Sequence, residues 1–500
     1  MNWNSPCFMS ATLRRKLRGL RLVFCPYPEQ GGNMTRVLTG LAAGFCLLAG
    51  APAWAQDKAS DKKAPEKKVG VLQQAIGDPD DLTITGTLRM RYETLANQFR
   101  PGLDENSDIL VIRAILAAQY KAGPVRLVGE LFDARAYSTD RNGSAGTGEV
   151  NAMELVQAYV GFDLDDALGK GSATSLDIGR FTMDLGSRRL VSRNNFRNTV
   201  NAFAGARVHY RGANKGTVTA FYTLPLMREP TDKEAILHND VEWDRESFDL
   251  TFWGGFTSQP LGARTTLEAY FYGLEERDSP GRLTRNRHLY TPGVRLFSQP
   301  VAGRWDYELE GAYQFGKVRD GVTETAEKRG VSAYTLHAEL GYQFASDWSP
   351  RIALEYDRAS GDRRGGRYGR FDNLYGSRRS DFGPTSTFGA LGRTNISSLG
   401  ARLEVAPDKR WDGFLHYSAN WLDSASDSFA TTGVRDPAGQ SGHFAGHQIE
   451  ARARYWLVPD MLRVDMGGAV LINGRFLDDA PNANGFGDPA FGYVELTANF

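Results

Sequence analysis

From Ile84 the chain alternates between apolar and polar residues with a period of two. Ile84, Gly86, Leu88, Met90 and Tyr92 fall on one side of an extended strand, and Thr85, Thr87, Arg89, Arg91 and Glu93 on the other. The same rhythm returns over residues 109–120, 125–137, 153–164, 175–181, 203–211, 217–224, 247–257, 265–274 and 290–297. It continues over 304–315, 332–344, 351–358, 396–405, 411–422, 447–457, 462–472 and 492–500. One face suits hydrocarbon and the other water, and most segments run to roughly ten residues, the length a tilted membrane-crossing strand needs. In the last segment Val494, Leu496, Ala498 and Phe500 share the apolar face. An unprotected strand of this kind would expose a pairing edge, so it is expected to pair with the first strand and close a ring. The alternating end in Phe is similar to the insertion signal of bacterial outer-membrane barrels.

The connections sort by length. Short turns lie near Gly123, Asn214, Pro260, Pro300, Trp348, Asp408 and Pro459, and longer polar loops such as Met227 to Arg245, Ser360 to Arg393 and Asp423 to Gly446 lie between them. The connection from Asp165 to Thr174 is the one turn that is not tight. A β-sandwich has no reason to alternate in this way, whereas an outer-membrane barrel places short turns on one side and long loops on the other. Aromatics agree: Trp305 and Tyr307 begin one apolar face and Tyr313 and Phe315 end it, with Leu309 and Gly311 between, as two interfacial girdles require. The predicted fold class is therefore all-β, a single transmembrane antiparallel barrel of the outer-membrane type with about eighteen strands over residues 82–500.

Composition narrows the picture. With 41% hydrophobic residues, 24% charged and a mean hydropathy of −0.41, the body holds no run of about 20 apolar residues, so a helical membrane bundle is excluded. Residues 1–55 read as an N-terminal extension and signal peptide starting at Met34: basic Arg36, an apolar core from Val37 to Leu48, and Ala53-Trp54-Ala55 before the cleavage point. All three cysteines, Cys7, Cys25 and Cys46, lie in that leader, which excludes disulfides from the body. Residues 56–81 read as a disordered, Lys-rich periplasmic lead-in, with a short helix allowed around Val71 to Ile76.

A ring of about eighteen strands is too wide for its own side chains to fill, so the interior is expected to be an aqueous channel. Its polar faces are rich in arginine: Arg89, Arg91, Arg113, Arg126, Arg207, Arg211, Arg402, Arg452, Arg454 and Arg463, interspersed with Glu93, Glu130, Glu308, Glu310, Glu339, Glu404 and Glu450. Two stretches concentrate positive charge further. Residues 177–211 hold seven Arg against two Asp, and residues 362–393 seven Arg against three Asp. Guanidinium groups in a narrow pore favour carboxylate-bearing permeants, which they can grip bidentately. The competing reading is that these arginines pair with the lumenal carboxylates and rigidify the wall.

At the first stretch, IGRFTMDLGSRRLVSRNNFRNTVNAFAGARV from Ile178 to Val208 resembles the signature of alginate-export outer-membrane proteins. FDNLYGSRRSDFG from Phe371 to Gly383, and the GHQIEARARYWLVPDMLRVDMGGAVLINGRF run, extend the resemblance. It implies a monomeric eighteen-stranded barrel whose arginine-lined constriction, with Arg180, Arg189 and Arg197 on it, passes an anionic polyuronate out of the cell. Two positions depart from the family's pattern: Phe181 stands where Gln is usual and Ala204 where Asp is. The expected partners are an anionic saccharide permeant, outer-membrane lipid and lipopolysaccharide, and the barrel assembly machinery through the C-terminal strand, with no nucleic acid. Alternatives are an uptake porin for small organic anions or oligosaccharides and, in another class, a barrel hydrolase. For the hydrolase the signals are weak. The seven histidines are scattered, and His443, His447 and Glu450 lie in loop and strand, where i, i+4 spacing does not build a metal site, so neither catalysis nor a cofactor is expected. Ser360 to Arg393 is the expected lid.

Overall fold

The computed structural model describes residues 70–500, so the leader, its cysteines and most of the lead-in lie outside the described residues. Eighteen strands form one closed antiparallel sheet, each paired with its neighbour in sequence and the last with the first. They are β1 (Leu82–Ala96), β2 (Ser107–Ala122), β3 (Val125–Tyr137), β4 (Asn151–Asp165), β5 (Ala173–Phe181) and β6 (Phe203–Arg211). Next come β7 (Thr217–Pro225), β8 (Leu250–Pro260), β9 (Thr265–Glu276), β10 (His288–Ser298), β11 (Arg304–Arg319) and β12 (Lys328–Gln343). The ring closes through β13 (Arg351–Ala359), β14 (Ile396–Val405), β15 (Trp411–Trp421), β16 (Phe444–Val458), β17 (Leu462–Asn473) and β18 (Ala490–Asn499). Short helices α1 (Val71–Ala75), α2 (Lys233–His238), α3 (Arg379–Phe382) and α4 (Arg475–Asp479) lie outside the sheet. The expected fold class and the pairing of the last strand with the first are both found.

Alternation follows the predicted faces. In β18, Val494 and Leu496 are exposed on the outside while Tyr493, Glu495 and Thr497 are buried inside. In β11, Trp305, Leu309, Tyr313 and Phe315 point outward, which places aromatics at both ends of the apolar band. The β1–β18 register runs from Thr87↔Asn499 to Ala96↔Ala490, which closes the ring and removes the sheet's edges.

The interior departs from the expectation of a plain aqueous bore. The ring is indeed too wide for its own side chains, but the long β5–β6 loop (182–202) and β13–β14 loop (360–395) fold inward, narrow it and divide the space that remains. Phe181, Phe203, Phe221, Phe252 and Tyr272 on the inner wall form a buried apolar cluster with Leu190, Val191 and Phe371 from these loops. Tyr375 packs edge-on against Phe203 and Phe252, at 5.2 and 5.0 Å between ring centroids. Burying such rings stabilises by roughly 1.5–3 kcal/mol each, which holds the loops to the wall. Phe181 belongs to this cluster, so the residue standing where Gln is usual contributes packing: it meets Tyr159 edge-on and carries the Arg207 guanidinium 4.7 Å above its ring.

Candidate functional site: two arginine-lined chambers and the diaphragm between them

Across the middle of the lumen the two inward loops pair. Val191 and Tyr375 form a parallel bridge. The Ser192 amide donates to the Tyr375 carbonyl and the Tyr375 amide to the Leu190 carbonyl, both at 3.1 Å, and the Ser377 amide donates to the Arg188 carbonyl at 2.9 Å. Asn201 spans the joint, its Nδ2 donating to the carbonyls of Ser192 (2.9 Å) and Tyr375 (3.0 Å). Gly376 is required here, because a Cβ would run into the Arg189 carbonyl oxygen.

Several arginines on the predicted path anchor this diaphragm. Arg89 donates to the carbonyls of Asn195 (2.9 Å) and Arg197 (2.8 Å) and to Asn198 Oδ1 (3.1 Å). Arg113 donates to the same two carbonyls at 3.1 and 3.2 Å, and Arg91 to Phe196 O at 2.7 Å. Arg91 is fully buried between Glu93 and Glu495. Arg189 holds Asp381 bidentately, with two bonds of 3.0 Å, and reaches Glu310 at 2.7 Å as well as Glu308. Arg393 grips the same Asp381 and donates to the Arg189 carbonyl at 3.0 Å, so one carboxylate ties both loops together. Burial opposes the charged form of Asp381, but Arg189 and then Arg393 outweigh it and hold the carboxyl well below its usual range.

On either side of the diaphragm lies a chamber. One, of about 490 Å³, opens along β14–β18, β1 and β2 toward the short turns. Eight arginines line it (Arg89, Arg113, Arg188, Arg379, Arg402, Arg452, Arg454 and Arg463) against four carboxylates (Asp184, Glu404, Asp465 and Glu495). The other, of about 810 Å³, lies under the long loops, with Arg197, Arg228, Arg245 and Arg282 against Glu229 and Glu246. Asn194 and Tyr375 face the second chamber; Asn195, Phe196 and Ser377 face the first.

Of the predicted site residues, then, Arg89, Arg113, Arg402, Arg452 and Arg454 line the first chamber and Arg197 the second, while Arg91 and Arg189 are buried in the diaphragm's supports. Others are neutralised on the wall. Arg126 pairs with Asp163 and Asp177 at 2.9 and 3.0 Å, Arg207 with Asp177 at 2.6 Å, and Arg180 with Glu154 and Glu246 at 2.8 and 2.7 Å. Arg402 pairs with Glu355 at 2.8 Å, and Arg452 and Arg454 share the single Asp412 at 3.3 and 2.8 Å. Sequence reasoning missed Arg188, which is exposed in the first chamber with φ +65° and no ion-pair partner among the described residues. It also missed Arg228, which shares Asn201 Oδ1 with Arg197 at 3.0 and 2.9 Å. The charge run 177–211 contained Arg188, but nothing in an aperiodic loop tells it from Arg189. The histidine reading ends in geometry: His447 lies on the outside against Tyr417 (2.8 Å), while Glu450 is buried inside with Arg379.

Unpaired positive charge concentrates beside the second chamber. Burial, then Arg228 and Arg378, pushes Arg197 well below its ordinary range, and burial alone pushes Arg378 down to about 10. In the β7–β8 loop (226–249), burial raises Asp244 to about 6, with Glu154 adding repulsion, against hydrogen bonds from the Glu229 amide and Asn151. Because this value lies above the ordinary carboxylate range, the docked loop keeps a proton that the undocked chain loses. Docking is strongest below about pH 4 and weakens by up to ~3 kcal/mol as pH rises through about 6. Amide exchange in 226–249, corrected for its intrinsic pH dependence, is therefore expected to slow between pH 7 and pH 5, and Asp244→Asn to abolish that slowing.

Solved structures share the closed barrel fold. The BenF-like porin from Pseudomonas fluorescens Pf-5 superposes with a TM-score of 0.54 at 12% identity, covering 84% of this chain and 99% of that one. OpdK from Pseudomonas aeruginosa does so at 0.52 and 13%, covering 83% and 98%. OccK2 (OpdF) from the same species, in complex with glucuronate, also gives 0.52 and 13% over 83% and 98%. No curated protein matches the sequence. These structures share the fold of an outer-membrane channel. The sequence itself matches the family described as alginate export over residues 80–486, and the chain belongs to that family.

Proposed function

We propose that this protein is a passive outer-membrane channel for anionic saccharides, with polyuronates of the alginate class as its exported permeant. What supports this reading most is the lining: in both chambers arginines outnumber the lining carboxylates two to one. Although Glu355, Glu450 and Asp412 pair with Arg402, Arg379, Arg452 and Arg454 of the first chamber, Arg113 and Arg188 there have no ion-pair partner among the described residues. Such fixed charge in a narrow bore focuses a positive field and draws in carboxylates. The leader ending at Ala55 routes the chain through export. The assembly machinery reads the C-terminal strand, lipid and lipopolysaccharide surround the wall, and one copy makes one pore. The protein performs no catalysis.

A second reading, uptake of small organic anions, is favoured by the diaphragm. Chambers of about 810 and 490 Å³ separated by paired loops suit short solutes better than a continuous chain. Single-channel recording with uronate oligomers of increasing length separates the two. A polymer channel is expected to show block that lengthens with each added sugar. Block that stops lengthening at one or two units selects the small-anion reading, and no block at any concentration removes both.

A further inference from the structure

The ring closes at the seam between β1 and β18, which unites residues more distant in sequence than any other pair of strands and so carries the largest loop-closure cost. It is also incomplete. β1 starts at Leu82, but its register with β18 starts only at Thr87↔Asn499, so the edge from Leu82 to Gly86 has no strand beside it on that side. Phe500 fills the first step: its amide donates to the Gly86 carbonyl at 2.9 Å, and the Gly86 amide donates back to the Phe500 carbonyl at 3.3 Å. Beyond Phe500 the ladder is continued by a side chain. Gln73, on α1, accepts from the Ile84 amide through Oε1 at 2.8 Å and donates through Nε2 to the Leu82 carbonyl at 2.8 Å and to the Pro79 carbonyl at 3.3 Å. Its carboxamide thus occupies the place of the next peptide group of a longer last strand.

The same helix grips both strands by packing. Gly86 has the outward direction of Leu88 and Met90, yet it is buried, because Leu72 and Phe500 close over it. A Cβ there would lie 2.9 Å from Leu72 Cδ1 and 3.4 Å from Phe500 Cδ2. Gly70 abuts the last residue, its Cβ position 2.9 Å from the Phe500 carbonyl oxygen. Residues 70–79 therefore touch the first strand through Gln73 and Leu72, and the chain's final residue through Leu72 and Gly70.

We propose that residues 70–79 are a clasp that fastens the β1–β18 seam from the turn side after the ring has closed. The clasp also covers the stretch of β1 edge that β18 leaves unpaired, denying it to other strands. Because the seam must part before the barrel can unravel, the clasp acts on the rate of unfolding rather than on the pore.

The test uses the full chain reconstituted in lipid, with Cys7, Cys25 and Cys46 replaced by serine. Leu72→Ala and Gln73→Ala are each expected to speed loss of the heat-modifiable folded form by about tenfold at fixed temperature. Gln73→Glu, which keeps the acceptor for the Ile84 amide and loses the donor to Leu82, is expected to fall between. Thr87→Cys with Asn499→Cys then places a disulfide across the seam at a paired position. In the oxidised barrel the clasp substitutions are expected to have no effect, and on reduction the acceleration returns. Unchanged unfolding rates in the uncross-linked protein would overturn the proposal. So would an acceleration that persists in the cross-linked one, since that would mean α1 stabilises something other than the seam.

Discussion

Replacing Asp381 by alanine is expected to raise single-channel conductance about threefold while leaving the barrel folded. Asp381 is the one carboxylate within salt-bridge distance of Arg393 among the described residues, and Arg393 is 1% exposed. Removing it leaves a buried guanidinium without a counter-charge, which costs about 3–5 kcal/mol. Arg189 also loses its bidentate partner, although Glu308 and Glu310 remain. That penalty is as large as the whole joint, three backbone hydrogen bonds and two from Asn201, can contribute, since each is worth only about 1 kcal/mol net. The loops therefore part where they meet, and the two chambers join. No pairing of the eighteen strands involves residue 381, so the heat-modifiable band should persist. Asp381→Asn keeps the shape and one acceptor and is expected to flicker between the two conductance levels. An unchanged conductance in Asp381→Ala would mean that the diaphragm does not limit current.

That latch also marks where sequence reasoning stops. The wall was legible because lipid imposes a period of two on every strand: Leu88, Met90 and Tyr92 had to face out, and Arg89, Arg91 and Glu93 had to face in. Closure followed from the same constraint, since an unpaired edge cannot face hydrocarbon. The filling of the lumen was not legible. Leu190, Val191, Phe371, Phe382 and Phe388 are buried, but they sit in loops with no period, where a buried ring and an exposed one look alike in sequence. The roles of the arginines were half legible. Alternation assigns a guanidinium to the inside of the ring, yet whether it is free depends on a carboxylate elsewhere in the chain. Arg91 meets Glu495, Arg189 meets Asp381 and Arg193 meets Glu130. Arg188 and Arg189 are adjacent residues with opposite roles, because one turn in the left-handed region at Arg188 sends the first into the chamber and the second into the wall.

Reversing two incompletely compensated arginines of the first chamber is expected to shift the pore's selectivity toward cations. Arg188 has no ion-pair partner among the described residues, and Arg454 shares Asp412 with Arg452, leaving one positive charge in excess. Arg188→Glu with Arg454→Glu changes the chamber's fixed charge by four. A unit charge ~8 Å from the permeant in water contributes about 0.5 kcal/mol, so four contribute ~2 kcal/mol, and salt screening at physiological strength leaves roughly half. Anions then lose and cations gain about 1 kcal/mol each, which changes the permeability ratio roughly thirtyfold. Reversal potentials in a tenfold salt gradient measure this directly, and the shift should shrink as salt rises because the field is screened. Arg475→Glu, on α4 outside both chambers, should leave the ratio unchanged. If the double variant keeps the wild-type reversal potential, the first chamber is not on the conduction path. The diaphragm's Asn194–Arg197 face and the second chamber would then have to carry the selectivity alone.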